Sequence, residues 1–222
     1  MAKALGSNIG SRIAVVTSTR TVHLARLEQQ SGKACLDLVD PVDVGRERMS
    51  RSPENILLHL SPSEDQQIRG LFAELEARGF PRQQQTPHIS LTFAPVIDPD
   101  VVQLASQLLP PLIPSKLRRV GTVVFGTKRK QTVAWLLEAS DDLEIAARNI
   151  SALNPEGRGP RWTPHLTLGL RLPREIVPDY IRALDELTSP HLRELTAVEA
   201  VYWRPRIQEE MIIAPEGMNV AL

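Results

Sequence analysis

Two short segments of the chain share one pattern: TPHISLTF at residues 86–93 and TPHLTLGL at residues 163–170. In both, Thr-Pro-His is followed by an aliphatic residue, a hydroxyl residue and a leucine. Of the five histidines in the chain, only His88 and His165 have this complete context. The repetition has three explanations: coincidence, two structural histidines, or one site assembled from two halves of the chain.

The spacing within each segment predicts a β-strand with two different faces. Successive side chains of a strand alternate between its faces, so each histidine shares a face with the hydroxyl residue two positions later, Ser90 or Thr167. Pro87 and Pro164 precede the histidines and favour a strand start or a sheet edge. In the first strand, the expected open face holds His88, Ser90 and Thr92, and the expected core face holds Ile89, Leu91 and Phe93. In the second strand, the expected open face holds His165, Thr167, Gly169 and Arg171, and the expected core face holds Leu166, Leu168, Leu170 and Leu172.

The rest of the chain alternates helix and strand patterns in an order typical of an α+β fold. Ser61 and Glu64 form a capping box before an amphipathic helix, and Gly79 is placed to end it. Residues 117–140 predict a β-hairpin, because two apolar runs flank a basic turn. Helices mixed with hairpins favour antiparallel sheets over a doubly wound parallel sheet. Further predicted strands are 55–60, 192–203 and 210–214, and further predicted helices begin near Asp98, Ser140 and Pro178.

The first fifty residues have a different pattern from the rest. They contain one strand pattern, at residues 13–18, and no long amphipathic helix. We therefore divide the chain into an N-terminal extension, residues 1–50, and a main domain, residues 51–222. Two interpretations of the extension stay open: extra strands packed on the main domain, or a poorly ordered segment.

The overall composition indicates an ordinary globular protein without a strong charge. Of its 222 residues, 42% are apolar and 23% are charged, and 26 acidic residues balance 26 basic ones. A net charge of zero provides no global field for nucleic acid or an anionic membrane, so an anionic substrate needs a local pocket. The single cysteine, Cys35, excludes an internal disulfide framework, and no signal-peptide or membrane-spanning run is evident. We therefore expect a cytoplasmic protein that does not bind a membrane.

Two imidazoles with neighbouring hydroxyls suit the cleavage of a phosphodiester without a metal. The ordinary pKa of histidine is ~6.5, so at neutral pH one ring can accept a proton while another donates one. The base deprotonates the attacking oxygen, the acid protonates the departing oxygen, and hydroxyl donors hold the other phosphate oxygens. A metal site is not indicated, because no carboxylate or cysteine lies at ligand spacing beside either histidine. A single such histidine would be read as structural, whereas two in matching contexts favour a site.

Paired H-x-[S/T] motifs in an α+β chain of this size resemble the 2H phosphoesterase superfamily. The similarity is to its branch of bacterial 2′-5′ RNA ligase-like proteins and RNA 2′,3′-cyclic phosphodiesterases, and it spans roughly residues 54–216. The resemblance implies a two-lobed fold, each lobe an antiparallel sheet with helices packed outside, and a central groove between the lobes. It also implies a phosphodiesterase that needs neither a metal nor a cofactor. This enzyme would act on an RNA or nucleoside 2′,3′-cyclic phosphate, with reverse 2′-5′ RNA ligation as a further activity.

The resemblance also assigns roles to individual residues. His88 and Ser90 correspond to the first motif, and His165 and Thr167 to the second, with the histidines as catalytic residues and the hydroxyls as phosphate-binding residues. It implies that His165 activates the nucleophile and that His88 protonates the leaving group, with the roles reversed when the reaction runs backwards. Ser90 stands where threonine is more usual, which keeps the hydroxyl donor but loses the methyl group that restricts its rotamer.

Four further residues are expected to contact the substrate. Some members of the superfamily carry an arginine five residues after the second histidine; here Leu170 has that place, and Arg171 follows it as the substitute. Arg161 and Trp162, directly before the second motif, offer a cation and a stacking surface for a base. His59 lies on the strand expected beside the site. Trp162 and His59 also have structural explanations, as a packing residue and a satisfied core residue.

The expected partner is an RNA end or a small cyclic-phosphate nucleotide, bound by a monomer that has no metal. Two alternatives stay open: a non-catalytic module that binds RNA ends, and a hydrolase of another small cyclic phosphate. The first would bind oligonucleotides with salt-dependent affinity and without turnover. The balanced net charge favours a small or short substrate over long RNA.

Overall fold

The structure, a computed structural model, consists of two units, Met1–Met49 and Ser50–Leu222. It describes residues 52–215 in full and, in the first unit, the backbone of one antiparallel hairpin. The strands of this hairpin are β1 (Arg12–Thr17) and β2 (Thr21–Arg26). The remainder of the predicted extension, with the single cysteine, lies outside the described residues, so its organisation stays a prediction.

The described part of the second unit contains helices and antiparallel strands in mixed order, which confirms the predicted α+β class. The predicted helices and strands of this part are present, with ends shifted by a few residues. The strands are β3 (Glu54–Leu60), β4 (His88–Ala94), β5 (Ser115–Phe125), β6 (Lys130–Glu138), β7 (His165–Pro173), β8 (Glu194–Arg204) and β9 (Glu209–Ala214). The α-helices are α1 (Pro62–Ala77), α2 (Pro99–Leu108), α3 (Asp141–Leu153) and α4 (Val177–Leu187), and the 3₁₀-helices are Pro110–Leu112, Arg174–Ile176 and Pro190–Arg193.

The seven strands of this unit form one antiparallel sheet whose two halves meet at β8. The pairing order is β4-β3-β8-β5-β6-β7, and β9 pairs with β8 outside this path. One edge of β8 pairs with β3. Its other edge pairs first with β5 and then, towards the end of the strand, with β9. The halves β4-β3-β8-β9 and β5-β6-β7, joined in one sheet, correspond to the two lobes that the resemblance implies.

Helices cover one face of the sheet. All four α-helices contribute buried side chains to one apolar cluster with the strands. Ser61 caps α1 and Ser140 caps α3 through their hydroxyl oxygens, as the sequence predicts. Among the described residues, no helix is both long and apolar enough to cross a membrane. The opposite face of the sheet therefore lies outside this apolar cluster.

The two terminal strands of the sheet, β4 and β7, contact each other although they are not paired. They belong to different halves of the sheet, and the histidines begin both strands. The sheet therefore bends until its two ends approach. This bend brings the two Pro-His segments, which are far apart in sequence, into one region of the structure.

A β-bulge in β4 changes which of its residues face the core. In the register with β3, Leu91 is an extra residue without a partner. A bulge shifts the alternation of side chains by one position, so the prediction is wrong beyond this point. Thr92, expected on the open face, is buried, and Phe93, expected in the core, is partly exposed. The histidine and serine before the bulge share the open face, as predicted.

Strand β7 contains a bulge at the equivalent place. Leu168, three residues after the histidine, has no partner in β6, and the register shifts again before Leu172. The predicted core position of Leu170 is wrong, because its side chain is 46% exposed. Arg171 has a φ of 55°, which breaks the extended alternation expected to place it on the face of the histidine.

The buried Gly169 of β7 leaves no room for a side chain. A Cβ there would lie 2.5 Å from Leu172 Cδ1 and 2.9 Å from Tyr180 Cε1. The ring of Tyr180 is fully buried, and its hydroxyl donates to Leu168 O at 2.7 Å, so it has little freedom to move. We expect Gly169→Ala to lower the free energy of unfolding by about 1–3 kcal/mol in urea denaturation.

The matched control for this substitution is Gly70→Ala. Gly70 lies in α1, and a Cβ there would meet no atom within 4 Å. Alanine is the better helix former, so this variant should gain about 1 kcal/mol of stability. Equal effects of the two substitutions would contradict the packing described around β7.

Candidate functional site

Each histidine begins its strand and is held by the backbone just before it. His88 Nδ1 lies 2.8 Å from the carbonyl oxygen of Thr86, and His165 Nδ1 lies 2.7 Å from that of Thr163. A carbonyl oxygen only accepts hydrogen bonds, so Nδ1 carries the proton in each neutral ring. Nε2 is therefore the nitrogen of each ring that is left to accept or donate a proton.

Hydrogen bonds from the segment before β7 connect the two histidine strands. Trp162 Nε1 donates to Ser90 O at 2.9 Å, and Asn154 Nδ2 donates to Thr92 Oγ1 at 2.9 Å. Both acceptors lie in β4, and both donors lie between α3 and β7. Leaving a buried polar group without its partner costs about 1–3 kcal/mol, so these bonds fix the start of β7 beside β4.

The two hydroxyl residues occupy equivalent places, two positions after their histidines. Ser90 and Thr167 are both half-buried on the open face of their strands. Asn55 Nδ2 donates to Ser90 Oγ at 2.6 Å. Because this bond uses the oxygen as acceptor, the hydroxyl hydrogen stays available for a ligand. No motif marks Asn55 in the sequence, where its only signal is its alternation with the apolar residues of β3.

One cavity of about 310 Å³ opens beside His165, and we call it the His165 cavity. The centroid of the Phe125 ring lies 4.7 Å from that of the His165 ring. The guanidinium carbon of Arg158 lies 5.1 Å from the centroid of the Phe93 ring. Two arginines and nearby hydroxyls make this cavity suitable for an anion. Its walls include Ser90, Phe93, Phe125, Arg158, Arg161 and Trp162.

A second cavity of about 520 Å³ opens beside His88, and we call it the His88 cavity. His59 of β3 is the cross-strand partner of His88 and lines the same cavity. The other polar side chains in its walls are amides, hydroxyls and one carboxylate. The cavities beside the two histidines therefore differ in charge, because among the described residues only the His165 cavity is lined by arginines. The walls of the His88 cavity include Asn55, His59, Gln85, Trp203, Gln208 and Glu210.

Burial lowers the pKa of both histidines below its ordinary value. For His88 the loss of water contact is the main cause, the hydrogen bond to the backbone opposes it, and the positive forms of His59 and His165 add to it. For His165 burial is again the main cause, the backbone bond opposes it, and Arg158 adds to it. At neutral pH both rings are therefore neutral in the free protein. The effect of His165 on His88 places both in one electrostatic environment.

The predicted site residues are distributed around the region where β4 and β7 meet. Two of them line neither cavity: Thr167, which is half-buried on β7, and Arg171, which is exposed and whose backbone N–H donates to Thr132 Oγ1 at 3.5 Å. Arg158 lines the His165 cavity from the loop before β7, and its proximity to the second motif is its only signal in the sequence. Within the described part of the chain, no group of three histidine, cysteine or acidic side chains is arranged to hold a metal ion.

Comparison with known proteins adds a likeness to solved structures. No protein-family model and no curated protein sequence matches the chain. A structure of Usb1 from Kluyveromyces marxianus with uridine monophosphate is similar to 74% of this chain and 98% of that chain, at 14% identity and a TM-score of 0.47. Another structure of Kluyveromyces marxianus Usb1 covers the same shares at 16% identity and a TM-score of 0.45. Likeness at this level supports no conclusion about function, which has to be inferred from the site.

The surroundings of the two rings predict a pH dependence of folding. Unfolded histidine titrates near ~6.5 and the folded rings titrate lower, so the unfolded chain binds more protons in this interval. The contribution of the two neutral rings to the free energy of unfolding is complete above pH ~6.5 and decreases as the pH falls towards the pKa values of the folded rings. We expect the Cε1–H resonances of His88 and His165, assigned with His88→Gln and His165→Gln, to titrate below pH ~6.5 in NMR spectra. Titration of either ring above this value would contradict the burial described.

Proposed function

We propose that the protein is a metal-independent phosphodiesterase that opens an RNA or nucleoside 2′,3′-cyclic phosphate by two-histidine acid–base catalysis, with 2′-5′ ligation as the reverse reaction. The observation that carries this proposal is the meeting of β4 and β7, whose first residues are imidazoles anchored through Nδ1. The substrate is an RNA end or a small cyclic-phosphate nucleotide. The protein acts on it as a cytoplasmic monomer without a cofactor.

In the proposed hydrolysis, His165 is the base and His88 is the acid. Nε2 of His165 accepts a proton from water as the water oxygen bonds to phosphorus. The bond between phosphorus and one ribose oxygen breaks, and the Nε2–H of His88 gives that oxygen a proton. The product is a nucleoside monophosphate, and exchange of protons with solvent restores both rings. Ligation uses the same groups in reversed roles.

Hydroxyl and guanidinium groups stabilise the negative charge of the transition state. The Ser90 hydroxyl accepts from Asn55, which leaves its hydrogen for a non-bridging phosphate oxygen. Thr167 offers a second hydroxyl from β7. Arg158 and Arg161 add positive charge in the His165 cavity. Donors that are oriented before the reaction stabilise developing charge without reorganising during it.

Removal of either imidazole should abolish most of the turnover. We expect His88→Gln and His165→Gln each to lower kcat for a nucleoside 2′,3′-cyclic phosphate by about 10²–10⁴-fold, because each removes one proton-transfer partner. Circular dichroism and thermal unfolding should show that both variants are folded. The control is His191→Gln, because His191 lines neither cavity, and its turnover should stay at the native level.

Three outcomes would contradict this proposal. Undiminished turnover in either histidine variant removes the acid–base pair. Binding of RNA ends by the native protein without any turnover makes the non-catalytic alternative correct. Turnover of other cyclic phosphates but not of nucleoside 2′,3′-cyclic phosphates makes the protein a hydrolase of another small cyclic phosphate.

The lowered pKa values of both rings predict an acidic optimum. The active form has one neutral and one protonated imidazole, so kcat/KM follows a bell-shaped curve whose limbs report the two pKa values of the free protein. Both values are lowered by burial, so the maximum of kcat/KM should lie below pH ~6.5. Steady-state rates between pH ~4 and ~9 measure it, and EDTA should leave them unchanged. An optimum on the alkaline side, or loss of activity in EDTA, would contradict the mechanism.

A further inference from the structure

Apart from His88 and Asn55, the side chains that line the His88 cavity take part in no step of the proposed reaction. Among the described residues that line it, none is arginine or lysine, and its one carboxylate belongs to Glu210. The His165 cavity is lined by two arginines, Arg158 and Arg161. Charge therefore directs the phosphate groups of a nucleotide towards the His165 cavity. The His88 cavity, which is the larger, is left for an uncharged part of the nucleotide.

Neighbouring strands place an aromatic ring beside hydrogen-bonding groups in this cavity. Asn55 of β3, Trp203 of β8 and Glu210 of β9 are successive cross-strand partners. His59 and His88 form a parallel row on β3 and β4. Side chains directly opposite in antiparallel strands lie about 5 Å apart at Cβ, so these groups share one surface. An indole in such a surface stacks on any planar base.

His59 is held so that one of its nitrogens is turned towards Glu210. Its Nδ1 lies 3.2 Å from Glu199 Oε2, and a carboxylate only accepts, so Nδ1 carries the proton. Its Nε2 lies 3.8 Å from Glu210 Oε1, which is beyond hydrogen-bonding distance. The Glu210 carboxylate lines the His88 cavity, and both of its oxygens are acceptors. Two adjacent acceptors suit a ligand with two adjacent N–H donors.

We propose that the His88 cavity binds the nucleobase of the substrate, and that the two carboxylate oxygens of Glu210 make it select guanine over uracil. Guanine carries N1–H and N2–H₂ side by side on one edge, which match the two acceptors. Uracil carries a single N–H between two carbonyl oxygens, so acceptors would face acceptors, and such unmatched contacts are costly. The inference rests on the proposed function, because it assumes that the phosphate of a nucleotide lies between His88 and His165.

The test uses guanosine and uridine as matched ligands. Their 2′,3′-cyclic phosphates are compared in steady-state turnover, and their 2′-monophosphates are compared in binding by calorimetry. We expect guanosine to be preferred about tenfold, near the low end for a two-bond contact, because the Glu210 side chain is 49% exposed. The preference should appear in KM and in Kd with kcat similar, because the base is held equally before and during the reaction.

Two neighbouring glutamates provide a variant and its control. Glu210→Gln replaces a pure acceptor by an amide that both donates and accepts, so the ratio of guanosine to uridine should fall close to one. Glu209→Gln makes the same change of charge one residue away. Glu209 pairs with Arg204 and does not line the His88 cavity, so this variant should keep the native preference.

The outcomes separate this inference from the proposed function. Turnover without a preference for guanosine, or a preference that Glu210→Gln leaves unchanged, overturns the base selection while the phosphodiesterase stands. Selective binding of the guanosine 2′-monophosphate without turnover supports the cavity assignment and overturns the enzymatic proposal. Absence of both binding and turnover overturns both.

Discussion

A hydrogen bond from the indole of Trp162 to the backbone oxygen of Ser90 holds the two ends of the sheet together. Strands β4 and β7 end the path of pairing and are not paired with each other, so ladder bonds cannot keep them adjacent. The indole and the amide of Asn154 supply those connections from the segment between α3 and β7. Because of them, His88 and His165 share one electrostatic environment although they belong to different halves of the sheet.

The position of each histidine at the first residue of its strand determines its chemistry. There the ring can bond to a backbone oxygen two residues earlier, which fixes Nδ1 as donor and leaves Nε2 for proton transfer. The two anchored rings are alike, but their surroundings differ: Arg158 and Arg161 lie beside one, and Glu210 lies in the cavity of the other. In the proposed reaction, equivalent imidazoles in unlike cavities give an asymmetric ligand one preferred orientation.

The sequence predicts those features of the structure that depend on local patterns. The α+β class, the helix starts and the shared face of each histidine and hydroxyl all follow from residue spacing. A bulge depends on the register with a neighbouring strand, so the bulges at Leu91 and Leu168 escape prediction, and Phe93 and Leu170 are assigned to the wrong face. Arg158 lies in an irregular loop, and the bond of Asn55 depends on which strands pair, so neither carries a periodic signal.

The most direct test of the central claim, that both imidazoles surround one phosphate, is an NMR titration of the native protein with a nucleoside 2′-monophosphate. The Cε1–H resonances of His88 and His165 should shift along the same saturation curve and give the same Kd, because one phosphate contacts both rings. A shift of only one resonance, or two curves with different midpoints, would contradict the account.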